Sequence, residues 1–357
     1  MHSDTNNQST KSISLLKRRW QKFRLLKRGW YSFLIILFIY LSTFLLPLLV
    51  NNRALIVKYH SSYYFPAFGN FYQAKFFGQR AIGEAQYRNL KNEFDRSNEN
   101  HWVLMPPYPY HPSESLLTDP TLPGSPPHPP SLRHWMGTDD RGRDVFARLI
   151  YGFRISLSFG MAVVCLSYIL GIVIGALLGF FGGWVDLYGQ RVVEIWAGLP
   201  FLYTIMIISS ILRPNIWVLI FILGLFSWIG ISFYIRGEFY REKARDYTAA
   251  AISQGENNLS VMIRHILPNS LTPIISFGPF SLVAAIGALV ALDFLGFGLP
   301  PPTPSWGELV NQGLNNIFKW HLVVFPLGAM FMTLLLVVFI GESIREAFDP
   351  KTHSRLR

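Results

Sequence analysis

The sequence predicts an all-α integral membrane protein with six transmembrane helices, and three observations lead to this class. Half of the 357 residues are hydrophobic and only 15% are charged, well below the quarter that is usual in soluble domains. Six apolar segments come close to the ~20 residues that a helix needs to cross the hydrocarbon core. Lys and Arg also concentrate in the segments that six spans place on one side of the membrane, as they do in cytoplasmic loops.

The first span is predicted at residues 30–50, directly after a basic arm formed by residues 1–29. A helix over this apolar run covers roughly 30 Å, which is enough to cross a bilayer. The run is too long for a signal-peptide core, and no small-residue cleavage site follows it. We therefore predict an uncleaved anchor whose N-terminal arm lies in the cytoplasm.

Five more apolar segments follow, at residues 155–181, 192–212, 216–235, 271–297 and 322–341. Six spans place both termini on the same side of the membrane. The arm 1–29, the loop 236–268 and the tail 343–357 all fall on that side and are rich in Lys and Arg. The two short loops on the other side carry only Arg213 and Lys319. The positive-inside rule therefore predicts a multi-pass membrane protein with both termini in the cytoplasm.

Six spans place residues 51–134 outside the cytoplasm, as an extracytoplasmic, periplasmic insertion. Its many basic residues do not contradict this location, because long translocated segments largely escape the charge rule. The insertion is rich in aromatic residues at its start and in proline in its middle, and such proline density excludes long regular elements there. Two interpretations stay open: a small cap over the outer mouth of the membrane domain, or a docking surface for an external substrate-binding protein.

The loop between the fourth and fifth spans carries a motif that predicts two short helices separated by a turn. Ala250 and Ala251 give a helix a flat face of small side chains, Gly255 permits a turn that a Cβ resists, and Pro268 is predicted to stop the chain before it re-enters the membrane. The motif residues are Asp246, Tyr247, Ala250, Ala251, Gly255, Arg264, His265, Leu267 and Pro268.

This loop resembles the cytoplasmic coupling loop of ABC importer permeases, whose motif reads Glu-Ala-Ala, three residues, Gly, nine residues, Ile, any residue, Leu-Pro. The spacing from Gly255 to Pro268 agrees with that motif. Ala249 stands where the motif has Glu, and His265 where it has Ile; both departures are familiar in the peptide-transporter branch. The resemblance implies that the loop docks onto an ATPase subunit. The alternative is an ordinary amphipathic loop between two helices.

A second motif lies just before the second span and consists of Gly137, Thr138, Asp139, Gly142, Arg143 and Asp144. Thr138 is predicted to cap a helix, with Asp139 and Asp140 at its positive end, and Asp144 is predicted to pair with Arg148 at i,i+4 spacing. The motif resembles the Gly-Thr-Asp-x-x-Gly-Arg-Asp segment of the second permease subunit of dipeptide and oligopeptide importers.

A third motif runs from Asp293 to Glu308 through a cluster of prolines, and it also resembles the peptide-permease family. Ser305 and Glu308 have capping-box spacing, which predicts the start of a short helix outside the membrane. The resemblance covers about residues 135–350. The aromatic entry of the insertion, Tyr63–Pro66, and the insertion's length resemble the microcin C type of permease.

Small and ionisable residues inside the spans suggest either packing or function. Gly171, Gly175 and Gly179 recur every fourth residue and allow a close approach by another helix, in this subunit or in a partner permease. Ionisable residues within spans are costly and often functional. For Glu194 and Asp293 we favour a structural role near the ends of their spans.

Several functions are disfavoured because their motifs are absent from the sequence. No Gly-x-x-x-x-Gly-Lys-Ser/Thr sequence occurs, so ATP and Mg are expected on partner ATPase subunits and no cofactor on this chain. No zinc-protease or nucleophile-turn motif occurs, so we expect a transport subunit without catalytic residues or a metal site. The single Cys165 excludes a disulfide framework. The net charge of +11 fits the cytoplasmic loops of a membrane protein, and no nucleic-acid partner is expected.

The family resemblance implies a type I ABC importer permease core at residues 135–342, paired with a second permease subunit. A periplasmic or lipoprotein substrate-binding protein would deliver peptides or peptide-like molecules, and two ATPase domains, on two chains or one double chain, would drive import. The alternatives are a permease for another substrate, such as nickel or a glycoside, and a self-sufficient secondary transporter. The latter normally shows inverted repeats or several charges in its spans.

Overall fold

The N-terminal segment forms one membrane-spanning helix with a basic helix in front of it. The computed structural model describes residues 15–97, 100–117, 119, 122, 124–212 and 214–348. Helix α1 (Leu15–Leu25) is followed by α2 (Lys27–Ser42), which continues through a 3-10 turn (Thr43–Leu45) into α3 (Leu46–Leu49). Residues Lys27–Leu49 are apolar and long enough to cross a membrane, which agrees with the span predicted at residues 30–50.

The insertion contains a small β-sheet, which was not predicted from the sequence. The membrane part of the chain is helical. The elements of the insertion are β1 (Ile56–Tyr59), β2 (Ser62–Tyr64), α4 (Tyr87–Arg96) and β3 (Trp102–Leu104). The antiparallel order is β2-β1-β3, and Val57 pairs with both Tyr64 and Val103. Leu90 of α4 packs with Val57 in a separate hydrophobic cluster. The described residues between β3 and Asp144 contain no helix or strand, as the prolines predict.

Nine helices follow the insertion in the described part of the chain. They are α5 (Val145–Phe181), α6 (Gly183–Ala197), α7 (Phe201–Ile211), α8 (Ile216–Lys243), α9 (Asp246–Ser253), α10 (Asn258–Ser260), α11 (Leu267–Leu295), α12 (Trp306–Asn315) and α13 (His321–Phe348). Among them, α5, α8, α11 and α13 are long and apolar enough to span a membrane.

The third predicted span is not one continuous helix. Helices α6 and α7 meet at an angle of 70°, so the chain has five candidate spans, or six if this bent pair counts as one. The break falls at Gly198, Leu199 and Pro200. Proline lacks the N–H that a continuous helix needs, and it disfavours a helical conformation in the residue before it. The segment predicted at residues 192–212 is therefore bent at these residues, and it gives the sixth span if the bent pair is counted as one.

The glycine stripe of α5 faces α8 of the same chain. A Cβ added at Gly171 would lie 2.0 Å from Cγ2 of Ile231, and one at Gly175 would lie 2.5 Å from the carbonyl oxygen of Ser232. At Gly179 the carbonyl oxygen of Arg236 would be 2.6 Å away. The stripe thus allows two helix backbones to approach closely, as small-residue stripes do in membranes.

The bundle has two distinct ends. At the first, here called the loop end, α1 meets the start of α11 and the end of α13: Arg19 donates to Oγ1 of Thr272 at 3.2 Å and Lys22 to the carbonyl oxygen of Glu346 at 2.8 Å. The segment from α8 to α11 lies at the loop end too. At the opposite end, here called the insertion end, the hydroxyl of Tyr151 in the second turn of α5 donates to the carbonyl oxygen of Val50 at 3.0 Å.

Candidate functional site

The loop end is shaped by a left-handed turn after α9. Gly255 has a φ of +81°, a conformation that glycine adopts without a steric penalty. The N–H groups of Gly255 and Glu256 donate to the carbonyl oxygens of Ile252 and Ala251 at 3.0 and 3.2 Å, which satisfies the last carbonyls of the helix. The predicted turn between two short helices is therefore present, and Gly255 is the residue that makes it.

The two predicted docking alanines point in different directions. Ala251 is only 5% exposed and packs against Val261 and Ile266, whereas Ala250 is exposed. Neighbouring positions on an α-helix lie about 100° apart, so α9 uses one alanine to pack on the bundle and presents the other outward. The flat face predicted for both side chains is thus divided between packing and an external surface.

The loop end exposes large apolar side chains beside this alanine. Ile252, Leu259 and Ile263 are 45%, 65% and 53% exposed. With Ala250 and Tyr247 they make up what we call the loop surface. Exposed apolar side chains of this size that are close in sequence are typical of a surface that contacts another protein.

Polar contacts hold the turn closed beneath the loop surface. Glu256 lies 3.1 Å from Nε2 of His265 and accepts from the hydroxyl of Ser260 at 2.7 Å. The hydrogen bond from Ser260, followed by that from His265, lowers the pKa of Glu256. The side chain of Asn257 caps α10 by accepting from the N–H of Ser260 at 2.7 Å. His265, which departs from the family motif, thus helps to close this turn.

The end of the loop differs from the sequence prediction. Pro268 does not stop the chain: a π-helical turn (Val261–Ile266) runs directly into α11, and Pro268 is the second residue of that helix. Proline is tolerated in the first turn of a helix because its missing N–H has no intrahelical partner there. The side chain of Asn269 then donates to the hydroxyl of Tyr247 at 3.2 Å and ties α9 to α11.

The remaining motif residues of the loop lie around this tie. Tyr247 donates to Glu242 at 2.7 Å, and burial, together with this hydrogen bond, raises the pKa of Tyr247. Asp246 begins α9, Arg264 is exposed, and Leu267 is half-buried. All nine predicted loop residues are therefore described, and the structure gathers them within α9, the turn and the start of α11.

At the insertion end, Asp144 rather than Thr138 caps α5. One carboxylate oxygen of Asp144 accepts from the N–H of Ala147 at 2.8 Å. The other accepts from the hydroxyl of Tyr108 at 2.7 Å and lies 2.8 Å from Nδ1 of His134. Burial, and then the Asp144 carboxylate, raises the pKa of Tyr108, which keeps the hydroxyl protonated as a donor. The predicted cap at Thr138 was wrong.

The predicted pair of Asp144 and Arg148 does not form, because Asp144 is occupied by the cap, Tyr108 and His134. Arg148 is fully buried and pairs instead with Glu308 of α12, and its Nε lies 3.5 Å from Asp139. A buried guanidinium needs such partners because an uncompensated charge in the interior is strongly penalised.

Arg143 completes this cluster of charges. It donates to Asp139 at 2.7 Å and to Glu308 at 3.0 Å. Burial opposes its charge, but the two carboxylates outweigh burial and raise the pKa of Arg143. Two arginines and two carboxylates, here called the buried ion cluster (Asp139, Arg143, Arg148 and Glu308), thus join the second motif to the third. Gly137 and Gly142, at φ of +77° and +70°, make the turns that place Asp139 there.

The third motif is organised by a buried aspartate. Ser305 begins α12 by accepting from the N–H of Glu308 at 3.1 Å, as the capping-box spacing predicts. The Ser305 hydroxyl donates to Asp293 at 2.6 Å, and the N–H of Leu299 donates to the same carboxylate at 2.7 Å. Asp293 therefore holds the proline-rich segment onto the end of α11, which agrees with the structural role favoured from the sequence.

A further ionic contact was not predicted. Asp186 of α6 accepts from Arg236 at 2.5 Å and from the hydroxyl of Tyr240 at 2.5 Å, both on α8. No local sequence signal reveals it, because the partners lie about 50 residues apart.

Glu194, by contrast, forms an exposed pair with Arg191 at 2.5 Å. In the described parts of the chain, no group of three His, Cys, Asp or Glu side chains could hold a metal ion.

The second half of the chain matches a known protein family. A family model described as the binding-protein-dependent transport system inner membrane component matches residues 171–354. This range contains the loop surface, the bent pair α6–α7 and the third motif.

Individual relatives extend the match to almost the whole chain. The inner membrane ABC transporter permease protein YejE of Escherichia coli K12 is 40% identical over 335 residues, covering 93% of this chain and 96% of the relative. The peptidoglycan transport system permease protein YejE of Agrobacterium fabrum is 37% identical, covering 94% and 93%. The dipeptide transport system permease protein DppC of Bacillus subtilis is 34% identical over 62% of this chain and 70% of its own length.

These matches confirm the resemblance of the chain to permease subunits of peptide-type ABC transporters. The apolar helices fit the same assignment, since five or six of them are long enough to cross a membrane. The chain therefore belongs to the binding-protein-dependent transport inner membrane components, the multi-pass permease subunits of ABC transporters.

Proposed function

We propose that this permease forms, with a second related permease subunit, the path by which peptides or peptide-like molecules cross the bacterial inner membrane. The support for this substrate class is that relatives are named as dipeptide and peptidoglycan transport permeases. A permease for nickel or a glycoside is the alternative. Uptake of labelled peptides by a strain that lacks this gene, with and without the gene restored, tests the class. Unchanged peptide uptake after deletion would contradict it.

The loop surface is the observation that carries the mechanism. The loop surface exposes apolar side chains next to a turn whose left-handed conformation Gly255 adopts without strain. Such a surface suits a cleft on an ATPase subunit. ATP and Mg bind on that partner, either two chains or one double chain, and this chain carries no cofactor. Movement of the ATPase would then be transmitted through α9 and α11 into the spans.

The loop end lies in the cytoplasm in this proposal. The first and last described helices both reach it, because α1 contacts α11 and α13 there, and its segments are rich in Lys and Arg. Of the predicted charges, Arg213 and the tail beyond Phe348 lie outside the described residues. Cysteines placed in residues 51–97 are expected to react with an impermeant thiol reagent added from outside. Labelling of those cysteines only after cell lysis would reverse this orientation.

The insertion lies on the outside in this proposal and faces the substrate-binding protein. Its first part exposes Tyr63, Phe65, Phe68, Phe71 and Phe76, each more than 40% accessible. An aromatic surface of this kind suits contact with a periplasmic or lipoprotein binding protein. The double change Phe68→Ser and Phe71→Ser on this exposed surface should preserve membrane insertion; weaker crosslinking to the binding protein supports docking, and unchanged transport supports a simple cap.

The adjacent alanines provide a matched test of ATPase docking. Ala250→Asp places a charge on the loop surface, so the permease should insert normally but lose the ATPase during co-purification, because an unpaired charge in a desolvated contact is strongly penalised. Ala251→Asp places the same charge against Val261 and Ile266 and should destabilise the permease itself. Wild-type ATPase binding and substrate-stimulated ATP hydrolysis by Ala250→Asp would overturn the docking role.

A further inference from the structure

An apolar cavity of about 430 Å³ lies between the N-terminal span and neighbouring helices of the bundle. Its walls come from α2, α5, α11 and α13, all candidate membrane spans. The lining includes Leu37, Met161, Gly278 and Val337, and its only hydroxyl, that of Tyr40, is bonded to Ser158 at 2.9 Å. With no polar group free to orient a polar ligand, this cavity suits hydrocarbon.

The cavity is open at the surface of the bundle. Leu37 and Met161, on opposite walls, are 38% and 41% exposed, and Cys165 on the same rim is exposed as well. At Gly278 an added Cβ would meet no atom within 4 Å, so the wall is not packed against a neighbouring helix there. Interior space in proteins is normally filled, and this space is reached most directly from the bilayer.

Along α2 the cavity extends from Phe33 to Tyr40, which is roughly 10 Å at the rise of an α-helix. Part of an acyl chain fills a space of this length. A helix of a partner chain is the alternative occupant, and crosslinks from this wall to another protein chain would identify it.

One end of the cavity lies beside the basic helix α1. Phe33, which lines the cavity, is in ring contact with Trp20 and Phe23 of α1 at 6.2 Å. The same helix carries Arg18, Arg19 and further basic residues, and it has no acidic residue. Clusters of Lys and Arg next to a membrane span attract anionic lipid headgroups.

We propose that the cavity binds one acyl chain of an anionic phospholipid, with the headgroup against α1. The lipid would then fill the cavity between α2 and the helices of the permease core. In this way it would help to fasten the N-terminal span to the core. This inference rests on the membrane location of the spans and of α1, and it is independent of the transported substrate.

Photo-crosslinking tests the proposal on the full chain, with its partner subunits, in nanodiscs. The probe is phosphatidylglycerol with a photoreactive acyl chain, compared with phosphatidylcholine that carries the same chain. Crosslinks should map to Met161 and Cys165. Phosphatidylglycerol should be favoured roughly fivefold for each arginine that contacts its headgroup, and Arg18→Gln should reduce this preference.

Two glycine variants provide the matched comparison. Gly278→Phe places its ring in the cavity and should abolish the crosslinks at Met161, whereas Gly328→Phe on α13 has equal open space outside the cavity and should preserve them. If Gly278→Phe does not accumulate, Met161→Trp fills the cavity from α5. Crosslinks that survive cavity filling, equal labelling by both lipids, or crosslinks from these positions to another protein chain would overturn the proposal.

Discussion

The family motifs at the two ends of the bundle differ in what they expose. At the insertion end, Arg143 and Arg148 are withdrawn from solvent and paired with carboxylates of the same chain. At the loop end, Ile252 and Leu259 remain exposed. The comparison teaches that the second and third motifs stabilise this chain from within, whereas the coupling-loop motif presents apolar side chains, as the proposed contact with an ATPase requires.

The largest expected effect comes from breaking the buried ion cluster. Glu308→Gln removes a carboxylate from Arg143 and Arg148 and leaves excess positive charge in a buried site. Removal of one partner from a buried ion pair typically costs about 3–5 kcal/mol. We expect a marked loss of thermal stability of the permease in nanodiscs.

The exposed pair of Arg191 and Glu194 supplies the control for this change. Glu194→Gln alters the same chemical group, but the side chain of Glu194 is 45% exposed, and exposed pairs contribute about 0–1 kcal/mol. Similar melting temperatures for Glu194→Gln and Glu308→Gln would show that the insertion end does not depend on its buried charges.

The second prediction concerns the contact between α5 and α8, which connects the two ends. Gly171→Leu forces a side chain into Ile231 and toward the carbonyl oxygen of Trp228, 2.8 Å from the added Cβ. Because backbone cannot yield as a flexible side chain does, the helices must separate, at a cost of about 1–3 kcal/mol. Gly230→Leu, where a Cβ meets nothing within 4 Å, is the control. Equal thermal stability of both variants would contradict this close packing.

Local features of both ends could be predicted from sequence because they depend on neighbouring residues. The turn at Gly255 and the helix start at Ser305 follow from spacings of a few residues. The buried ion cluster could not be predicted in this way. Arg148 has an acidic residue at i−4, but its partner Glu308 lies 160 residues further along the chain, and only the fold brings the two together.

Two features of the regular structure were not predicted, and both have local causes. The strands of the insertion are three or four residues long, too short for a clear alternating pattern. The break between α6 and α7 was missed because hydropathy carries no information about backbone geometry. Gly198 and Pro200 lie in an apolar run, but proline is a strong helix breaker.

The smallest expected effect separates backbone strain from contact at the loop end. Gly255 has a left-handed φ of +81°, yet a Cβ at this position would meet no atom within 4 Å. Gly255→Ala should therefore cost only the strain of about 1–2 kcal/mol, and Gly255→Asn less, because asparagine tolerates this conformation. Both variants should still bind the ATPase if the partner leaves room for a small side chain at this turn.

Gly255→Trp adds bulk to the same strained position and should lose ATPase binding and substrate-stimulated ATP hydrolysis while the permease remains inserted. The contrast with Gly255→Asn is informative because the two changes share the backbone conformation and differ in the volume offered to a partner. If Gly255→Trp retains wild-type ATPase binding, nothing contacts the turn, and the loop surface would not be the coupling element. If Gly255→Asn loses binding as fully as Gly255→Trp, the partner approaches the backbone too closely for any side chain at this position.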